Sequence, residues 1–518
     1  MSDKLYPVYT LDNKCLDCYK CVRECFTKSI QVINSQARVM SDKCIACGHC
    51  VRVCPQHAKK VRSDIEKVKE LIASGKKVIA SLAPSWAGIF DYTPEQMIRI
   101  LKDLGFFGVS ETAIGAEFVS IQTAKILNKM DKGLLISSAC PVIVDYILKY
   151  KTEYAPFLAN TASPALTHAK FLKEQFEDIA VVFIGPCIAK KNESDRHPDL
   201  LDVALTFEEL TIWMKQSFVD LNSIIPDESD TFIPKKAHEG GYYPMEGGMN
   251  ETIILGGIKE NVHLVTSSSI PALKRALDNL NVADIKDVVF LEALSCPGGC
   301  INGPSTPDKR PSLVINSSIL SKIKTRNEIP KEPDVVLEFT HEIKNEDDKK
   351  FSFVDISEAM RSIGKTKEED ELNCGGCGYT SCRELAYAIL NKKAEPSMCV
   401  SYMRKLATKK ASTLLRTMPS GMVLANDKLE IIETNDAFIE TFMGDMAKVF
   451  LNRPDGLKGI SLDRVVPFCN FFKEAFLKNS DIHIEKYPIK DKFYDITIFI
   501  IEPELITGAI ITDVSHLV

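Results

Sequence analysis

Lys14-Cys15-Leu16-Asp17-Cys18-Tyr19-Lys20-Cys21, closed by Cys25, recurs 29 residues later as Lys43-Cys44-Ile45-Ala46-Cys47-Gly48-His49-Cys50, closed by Cys54-Pro55. Two copies of C-x2-C-x2-C-x3-C in succession predict two similar half-domains folded around metal. Working outward, sixteen of the seventeen cysteines fall into four sets of four: Cys15/Cys18/Cys21/Cys25, Cys44/Cys47/Cys50/Cys54, Cys140/Cys187/Cys296/Cys300 and Cys374/Cys377/Cys382/Cys399. Iron–sulfur clusters are held by four thiolates apiece, so the arithmetic allows four clusters. Zinc is the alternative for the N-terminal sets and for the last one, although zinc sites usually combine two C-x-x-C pairs set far apart. Cys469, in Pro467-Phe-Cys-Asn-Phe-Phe472, sits among aromatics and reads as a core thiol.

A chain of 518 residues calls for roughly three or four domains. Its 45% hydrophobic and 26% charged residues are ordinary for a globular protein. A net charge of −6, from 64 basic and 70 acidic residues, argues against a nucleic-acid partner. No apolar stretch reaches the roughly 20 residues that span a membrane; the nearest, Phe493 to Val514, is broken by Asp495, Glu502, Pro503, Glu504 and Asp513. The N-terminus lacks a basic head followed by an apolar run, so no export signal is expected. Clustered C-x-x-C spacings in such a chain point to metal and not to disulfides. A cytoplasmic location is expected.

The pattern along the chain predicts a multidomain protein, α/β and α+β. Residues 1–62 form a two-cluster domain. Over 63–323, buried strands (Val78–Leu82, Leu134–Ile136, Val181–Ile184, Val288–Leu291) alternate with helical stretches, which implies βαβ units and a largely parallel sheet. Cys140, Cys187 and Cys296 each follow such a strand, where ligand sites of open α/β sheets collect. The charged, proline-bearing stretch 324–350 reads as a linker, 351–405 as a small four-cysteine module, and 406–518 as hairpin strands with inserted helices. In the last part Asn435 reads as a helix N-cap.

The N-terminal runs resemble those of bacterial ferredoxins, in which the fourth cysteine of each run serves the other cluster. The resemblance assigns Cys15, Cys18, Cys21 and Cys54 to one [4Fe–4S] cluster and Cys44, Cys47, Cys50 and Cys25 to the other. The first run departs from it at Phe26, where proline is usual. Further on, Ile136-Ser-Ser-Ala-Cys140-Pro141, Gly185-Pro-Cys187-Ile-Ala-Lys190-Lys191 and Leu294-Ser-Cys296-Pro-Gly-Gly-Cys300-Ile-Asn-Gly resemble the three active-site motifs of the [FeFe]-hydrogenases. That resemblance implies an H-cluster: Cys140, Cys187, Cys296 and Cys300 hold a cubane, and Cys300 bridges to a two-iron site carrying CO, cyanide and an azadithiolate. By the same match Lys190 donates to a cyanide, and Ser85, in Ala83-Pro84-Ser85, helps to seat another. Taken alone, Lys190 and Lys191 could equally be solvated surface charge.

Departures from the family's pattern carry as much information. Active hydrogenases have a proton-relaying cysteine before the first cubane ligand; here that position is Ala139, whose methyl group cannot carry a proton. After Gly115-Ala-Glu117 the family has acidic residues, whereas this chain has Gln122 and Thr123 and no acid from Ser120 to Met130. Gly185 and Leu294 stand where methionines are usual. The segment Ser163–His168 lies near the site, and His168 is a candidate substitute relay, set against an ordinary helical-face histidine. This constellation resembles the sensory, PAS-containing branch of the family, and implies slow H₂ chemistry suited to detection.

Cys374-Gly-Gly-Cys377-Gly-Tyr-Thr-Ser-Cys382 with Cys399 resembles the small four-cysteine [4Fe–4S] module found beside redox domains, and would carry electrons from the hydrogenase domain toward the C-terminus. Residues Leu414 to Asp427 and Ile432 to Phe438, with Ile510-Ile-Thr-Asp-Val-Ser515 at the end, resemble a PAS domain. Its pocket ligand is not readable; His483 is a surface strand histidine before it is a haem ligand. The implied cofactors are three accessory [4Fe–4S] clusters and the H-cluster. The implied partners are a redox protein such as ferredoxin, maturation enzymes for the two-iron site, a separate kinase or phosphatase effector (the output is expected to lie in a partner), and a homodimer as one option. Two other readings stay open: a metabolic electron-transferring hydrogenase, and a non-catalytic hydrogenase-like Fe–S protein without the two-iron site.

Overall fold

The computed structural model describes residues 5–217, 224–307, 310–323, 325–326, 330–343, 351–451, 456–503 and 505–517. Of the expected linker, residues 324, 327–329 and 344–350 lie outside the described ones. The chain divides into two compact units, Met1–Met398 and Cys399–Val518.

The first unit opens with two pseudo-equivalent halves. Strand β1 (Val8–Thr10) precedes the first cysteine run, and the hairpin of β2 (Ile30–Ile33) and β3 (Gln36–Val39) separates it from the second. Strand β4 (Lys59–Val61) then returns antiparallel to β1. Each run ends in a five-residue helix, Lys20–Glu24 and His49–Val53. The aliphatic core is small (Val8, Val22, Ile30, Val32, Ala37), as expected of a domain organised around metal.

Two parallel sheets follow, where one was expected. Strands β5 (Lys77–Leu82), β6 (Gly108–Glu111), β8 (Ile179–Gly185) and β9 (Val203–Thr206) pair in the order β6-β5-β8-β9, and β7 (Gly133–Ile136), β10 (Val262–Ser268) and β11 (Val288–Leu294) in the order β10-β11-β7. The helix Ala113–Lys129 explains the split. Its Ile114 and Phe118 join the core of the larger sheet, while Val119, Ala124 and Leu127 pack with Leu135 and Phe290 of the smaller. A helix buried on both faces serves two layers, so the sequence pattern gives little amphipathic signal. Gly115 allows that helix to approach the next: a Cβ there would lie 2.2 Å from the Pro164 carbonyl oxygen. The charged stretch beyond residue 323 packs back on this domain where it is described. Leu337 accepts from Ala162 N (2.9 Å), Phe339 N donates to Asn160 (2.8 Å), and Arg326 pairs with Glu117 and Glu239. Helices Phe353–Ser362 and Cys382–Leu390 of the small module pack together through Met360, Leu385 and Ala386.

In the second unit the helix Val400–Thr417 is followed by β12 (Gly421–Asn426), β13 (Ile431–Thr434), β14 (Ile482–Ile489), β15 (Lys492–Glu502) and β16 (Ile506–Asp513). The sheet is antiparallel, in the order β13-β12-β16-β15-β14. First and last strands lie at its centre, with the helices inserted between the second and third, which is a PAS-like arrangement. Asn435 caps Asp436–Met443: its Oδ1 accepts from Phe438 N at 3.0 Å and Met422 N at 2.7 Å. Cys469 is buried in this core with Phe438, Phe468 and Phe472. His483 is an exposed strand residue bonded to Thr497 at 2.9 Å. No helix among the described residues is long and apolar enough to cross a membrane.

Candidate active site and metal centres

The carboxyl ends of both parallel sheets meet around one cavity of about 110 Å³. Ser85 enters after β5, Ala139 and Cys140 after β7, Cys187 and Lys190 after β8, and Cys300 after β11; all six line it. A second, smaller space adjoins it, walled by Cys140, Cys187, Cys296 and Cys300, with Cys47 of the N-terminal domain on its rim. Three cysteines, Cys140, Cys187 and Cys300, thus face both spaces.

All four thiols are shifted upward, and burial is the first cause in each case. Cys187 is pushed up to about 11, and Cys140 and Cys187 also raise Cys300 by their proximity. Backbone N–H groups of Ile143, Ser295 and Val142 point at Cys140, and those of Lys190 and Ala189 at Cys187, favouring the thiolate. Four converging buried sulfurs that repel one another as thiolates call for a cationic centre, whose binding releases their protons. Ser85 Oγ is buried without a hydrogen-bond partner. An orphaned hydroxyl on the wall of the larger space fits a ligand-bearing group there. The residues present therefore fit a cubane in the smaller space and a polar metal group in the larger.

Lys190 is buried and its ammonium already has an anion: Nζ donates to Glu193 Oε2 at 2.6 Å and to Ser163 Oγ at 2.8 Å. Ser163 also accepts from Leu166 N (3.4 Å), capping the helix Pro164–Gln175. Lys191 is not surface charge. It is fully buried, donating to Asp64 (2.9 Å), Glu209 (2.9 Å) and the Ala204 carbonyl (3.0 Å). Burial raises the Asp64 carboxyl, but Lys191, Lys67 and Arg62 together bring it below its ordinary value.

Ala139 presents only a methyl group to the cavity. Its N–H donates to Ser137 Oγ (3.2 Å), which donates to Met249 Sδ (3.2 Å). Thr123 is occupied by its own helix, donating to the Val119 carbonyl at 2.7 Å. His168 does not line the cavity. It is wholly buried between Ser81 Oγ (2.8 Å) and Ser110 Oγ (2.9 Å), and burial lowers it to about 3, so it is neutral at ordinary pH. Gly185 has a steric reason: a Cβ would lie 2.5 Å from the Phe183 ring, which occupies the cavity wall instead.

Two groups near the cavity escaped the sequence reading. Tyr243 lines it and shares a hydrogen bond with Ser120 (2.8 Å). Glu292 lies behind it, bonded by Met249 N (3.2 Å) and Thr266 Oγ1 (3.2 Å), and burial raises its carboxyl to about 7. The signal was available, since Glu292 is an acid inside an otherwise apolar strand.

In the N-terminal domain the structure brings Cys54 to the first run and Cys25 to the second. Burial pushes Cys21 up to about 11, with Lys59 opposing and Cys15, Cys54 and Cys18 adding to the rise. Burial raises Cys44 to about 11 and Cys47 to about 12, with Cys25 contributing to both, and Cys50 feels Cys47, Cys44 and Cys25. Backbone donors meet the sulfurs: Ser29 N to Cys25 (3.3 Å), Ala46 N to Cys44 (3.3 Å) and Ala58 N to Cys54 (3.3 Å). In the small module Cys377 and Cys382 are buried and Cys374 is exposed, with left-handed turns at Gly375 and Gly378. Cys399 is buried and precedes the helix Val400–Thr417.

Three protein families match stretches of the chain. Residues 76–304 match the family "Iron only hydrogenase large subunit, C-terminal domain", residues 7–55 the family "4Fe-4S dicluster domain", and residues 370–401, which include all four cysteines of the small module, an Fe–S cluster family. The chain is 26% identical to the periplasmic [Fe] hydrogenase large subunit of Nitratidesulfovibrio vulgaris over 372 residues, covering 59% of this chain and 87% of that one. It is 25% identical to iron hydrogenase 1 of Clostridium pasteurianum, covering 58% of this chain and 64%, just under two thirds, of that one. It is also 24% identical to the cytosolic Fe-S cluster assembly factor narfl of Danio rerio, covering 54% and 82%. Among solved structures, a variant of [FeFe]-hydrogenase HydA1 from Chlamydomonas reinhardtii aligns with a TM-score of 0.43 at 17% identity, covering 55% of this chain and all of that one. Residues 76–304 thus form a domain of the iron-only, or [FeFe]-, hydrogenase family.

Proposed function

We propose that this chain is a sensory [FeFe]-hydrogenase, interconverting H₂ with two protons and two electrons slowly and reporting its redox state through Fe–S clusters to the PAS-like unit. One observation carries the reading. A cavity that keeps Cys300, Lys190 and Ser85 on its wall presents Ala139 where a proton-relaying thiol is expected. The H-cluster, when bound, supplies the metal centre at which H₂ is cleaved or formed.

The chain's residues divide the remaining work. Cys140, Cys187, Cys296 and Cys300 would hold the cubane, and Cys300, which lines both spaces, would also serve the two-iron site. Lys190, held by Glu193 and Ser163, is the side-chain nitrogen donor on the wall, placed to donate to an anionic ligand. Ser85 Oγ has a hydrogen bond to give. Ala139 neither accepts nor releases a proton. Tyr243 lines the cavity and Glu292 acts on that tyrosine and on Cys300, but neither stands at position 139. Positioned acid–base help is typically worth about 10²–10⁴-fold, and its loss there suits detection better than flux. Cys15/Cys18/Cys21/Cys54, Cys44/Cys47/Cys50/Cys25 and Cys374/Cys377/Cys382/Cys399 hold the three accessory clusters. The proposed partners are a ferredoxin-like carrier, maturation enzymes and a separate kinase or phosphatase, in the cytoplasm.

A second reading, a non-catalytic Fe–S protein, draws on the similarity to an assembly factor and on Lys190 having its anion within the chain. Infrared spectroscopy of matured protein with H₂ assays separates the readings. CO and cyanide bands with slow turnover are expected. Bands with fast turnover point to a metabolic enzyme, and no bands after maturation to the non-catalytic protein.

A further inference from the structure

The small four-cysteine module packs on the two-cluster domain at the start of the chain. Glu395 accepts from both turn residues of the β2–β3 hairpin, Asn34 N (2.6 Å) and Ser35 N (3.1 Å), and Val32 N donates to the Lys393 carbonyl (2.9 Å). A second approach lies beside cysteines of both domains. Gly378, next to Cys377, adopts φ +96°, and a Cβ there would lie 3.0 Å from Val22 Cγ1 and 3.1 Å from Arg23 N, in the helix that leads to Cys25. Arg23 Nη1 donates to the Gly376 carbonyl at 3.2 Å.

Lys28 bridges this seam. Its Nζ donates to the carbonyls of Val22 (3.1 Å), Arg23 (3.0 Å) and, across the seam, Gly378 (2.8 Å). It also lies 5.9 Å from the centre of the Tyr379 ring. Its charge acts on Cys25 and on Cys377, and Tyr379 feels the same two cysteines. Cys21 couples instead to Cys15, Cys54 and Cys18. Through Lys28 and Tyr379 the module therefore reaches Cys25 of the set Cys25/Cys44/Cys47/Cys50, whose Cys47 stands on the rim of the active-site thiols.

We propose that the small module exchanges electrons with the Cys25/Cys44/Cys47/Cys50 cluster, and that Lys28 is the positioning residue that joins the two and raises both potentials. This rests on the Fe–S reading of the two ligand sets. It makes that cluster a branch point: each H₂ cleaved gives two protons and two electrons, each electron passes singly from the active site to this cluster, and from there either to the small module or to the Cys15/Cys18/Cys21/Cys54 cluster. Signal and electron carrier then draw on one junction, and the small module is not a continuation of the hydrogenase domain. A cation stabilises the more negative, reduced form of each cluster it faces, which fixes the sign of the effect.

The test is an EPR-monitored redox titration of the full cluster-loaded chain. Lys28→Met lowers the potentials of the small-module and Cys25-containing clusters together and leaves the Cys15-containing cluster in place, while Lys28→Arg restores both. Gly378→Ala keeps the charge but forces the seam apart, and weakens the magnetic interaction between the two reduced clusters. Because it leaves Lys28 in place, it decides the matter if Lys28→Met does not hold its clusters. Cluster signals present but unmoved in Lys28→Met, or an undiminished interaction in Gly378→Ala, overturn the junction alone. Absence of these cluster signals in the loaded wild type overturns the Fe–S reading with it.

Discussion

In the first cysteine run Tyr19 holds the left-handed position ahead of the short helix (φ 52°) and Cys18 is exposed; in the second, Gly48 holds it (φ 73°), and a Cβ there would lie 2.6 Å from Ile188 Cδ1 and from Pro304 Cβ. The spacing is the same and the surroundings differ. The second run is pressed against the hydrogenase domain, with Cys47 beside the active-site thiols, while the small module meets the helix of the first. A ligand repeat thus says how clusters are held, while the residues between the ligands decide where each cluster sits in a wire. Glycine stands where neighbouring side chains close on the loop position itself, and a half-buried tyrosine where the neighbour docks on the helix that follows.

Removing one ligand from each run gives the largest contrast. Cys47→Ala is expected to abolish H₂-driven reduction of the accessory clusters, followed by EPR, whereas Cys18→Ala leaves reduction of the inner cluster intact. Equal effects would erase the distinction between inner and outer runs. Next comes the ionic network that fastens the inner half to its neighbour. Lys191, fully buried, joins Asp64 to Glu209, and Arg62 extends the network to Asp195. Lys191→Met leaves two buried carboxylates short of a partner and costs about 3–5 kcal/mol, read as a lower urea midpoint. A loss under about 0.5 kcal/mol, as at a surface site, would contradict the network's role.

A third change asks whether the inner run limits turnover. Ala139→Cys is expected to speed H₂ evolution by up to about 10²-fold, the low end for one positioned proton carrier, because the helix after Glu117 still lacks acids. No gain with the clusters intact would move the bottleneck from proton delivery to electron transfer. The smallest effect probes the loop glycine. Gly48→Ala meets both positive φ and two close side chains, and costs about 1–3 kcal/mol; Tyr19→Ala, at a half-buried loop position, costs about 0.5–1 kcal/mol. Thermal melts compare the two.

Local pattern carried much of this. The strands leading to Cys140, Cys187 and Cys296, the Asn435 cap and the buried Cys469 were all legible, because periodicity, capping and composition act over a few residues. What was not legible is tertiary. The i,i+3 pair of Lys190 with Glu193 was open to inspection, but the burial that makes it matter was not. Lys191 looked like solvent charge because its partners Asp64 and Glu209 lie in other elements. The single expected sheet became two because Ala113–Lys129 is apolar on both faces. Gly185 read as a lost methionine until the Phe183 ring was seen to need its space. The docking of Gly378 on Arg23 joins segments far apart in sequence, and no local rule foretells it.

The central claim is a retained two-iron site behind a missing proton carrier. Infrared spectra of the matured chain, recorded with its H₂ turnover beside Ala139→Cys, test it most directly. The account predicts CO and cyanide bands in both proteins and slow turnover that the cysteine accelerates. Matured protein without those bands, or wild-type turnover as fast as that of the cysteine variant, would contradict it.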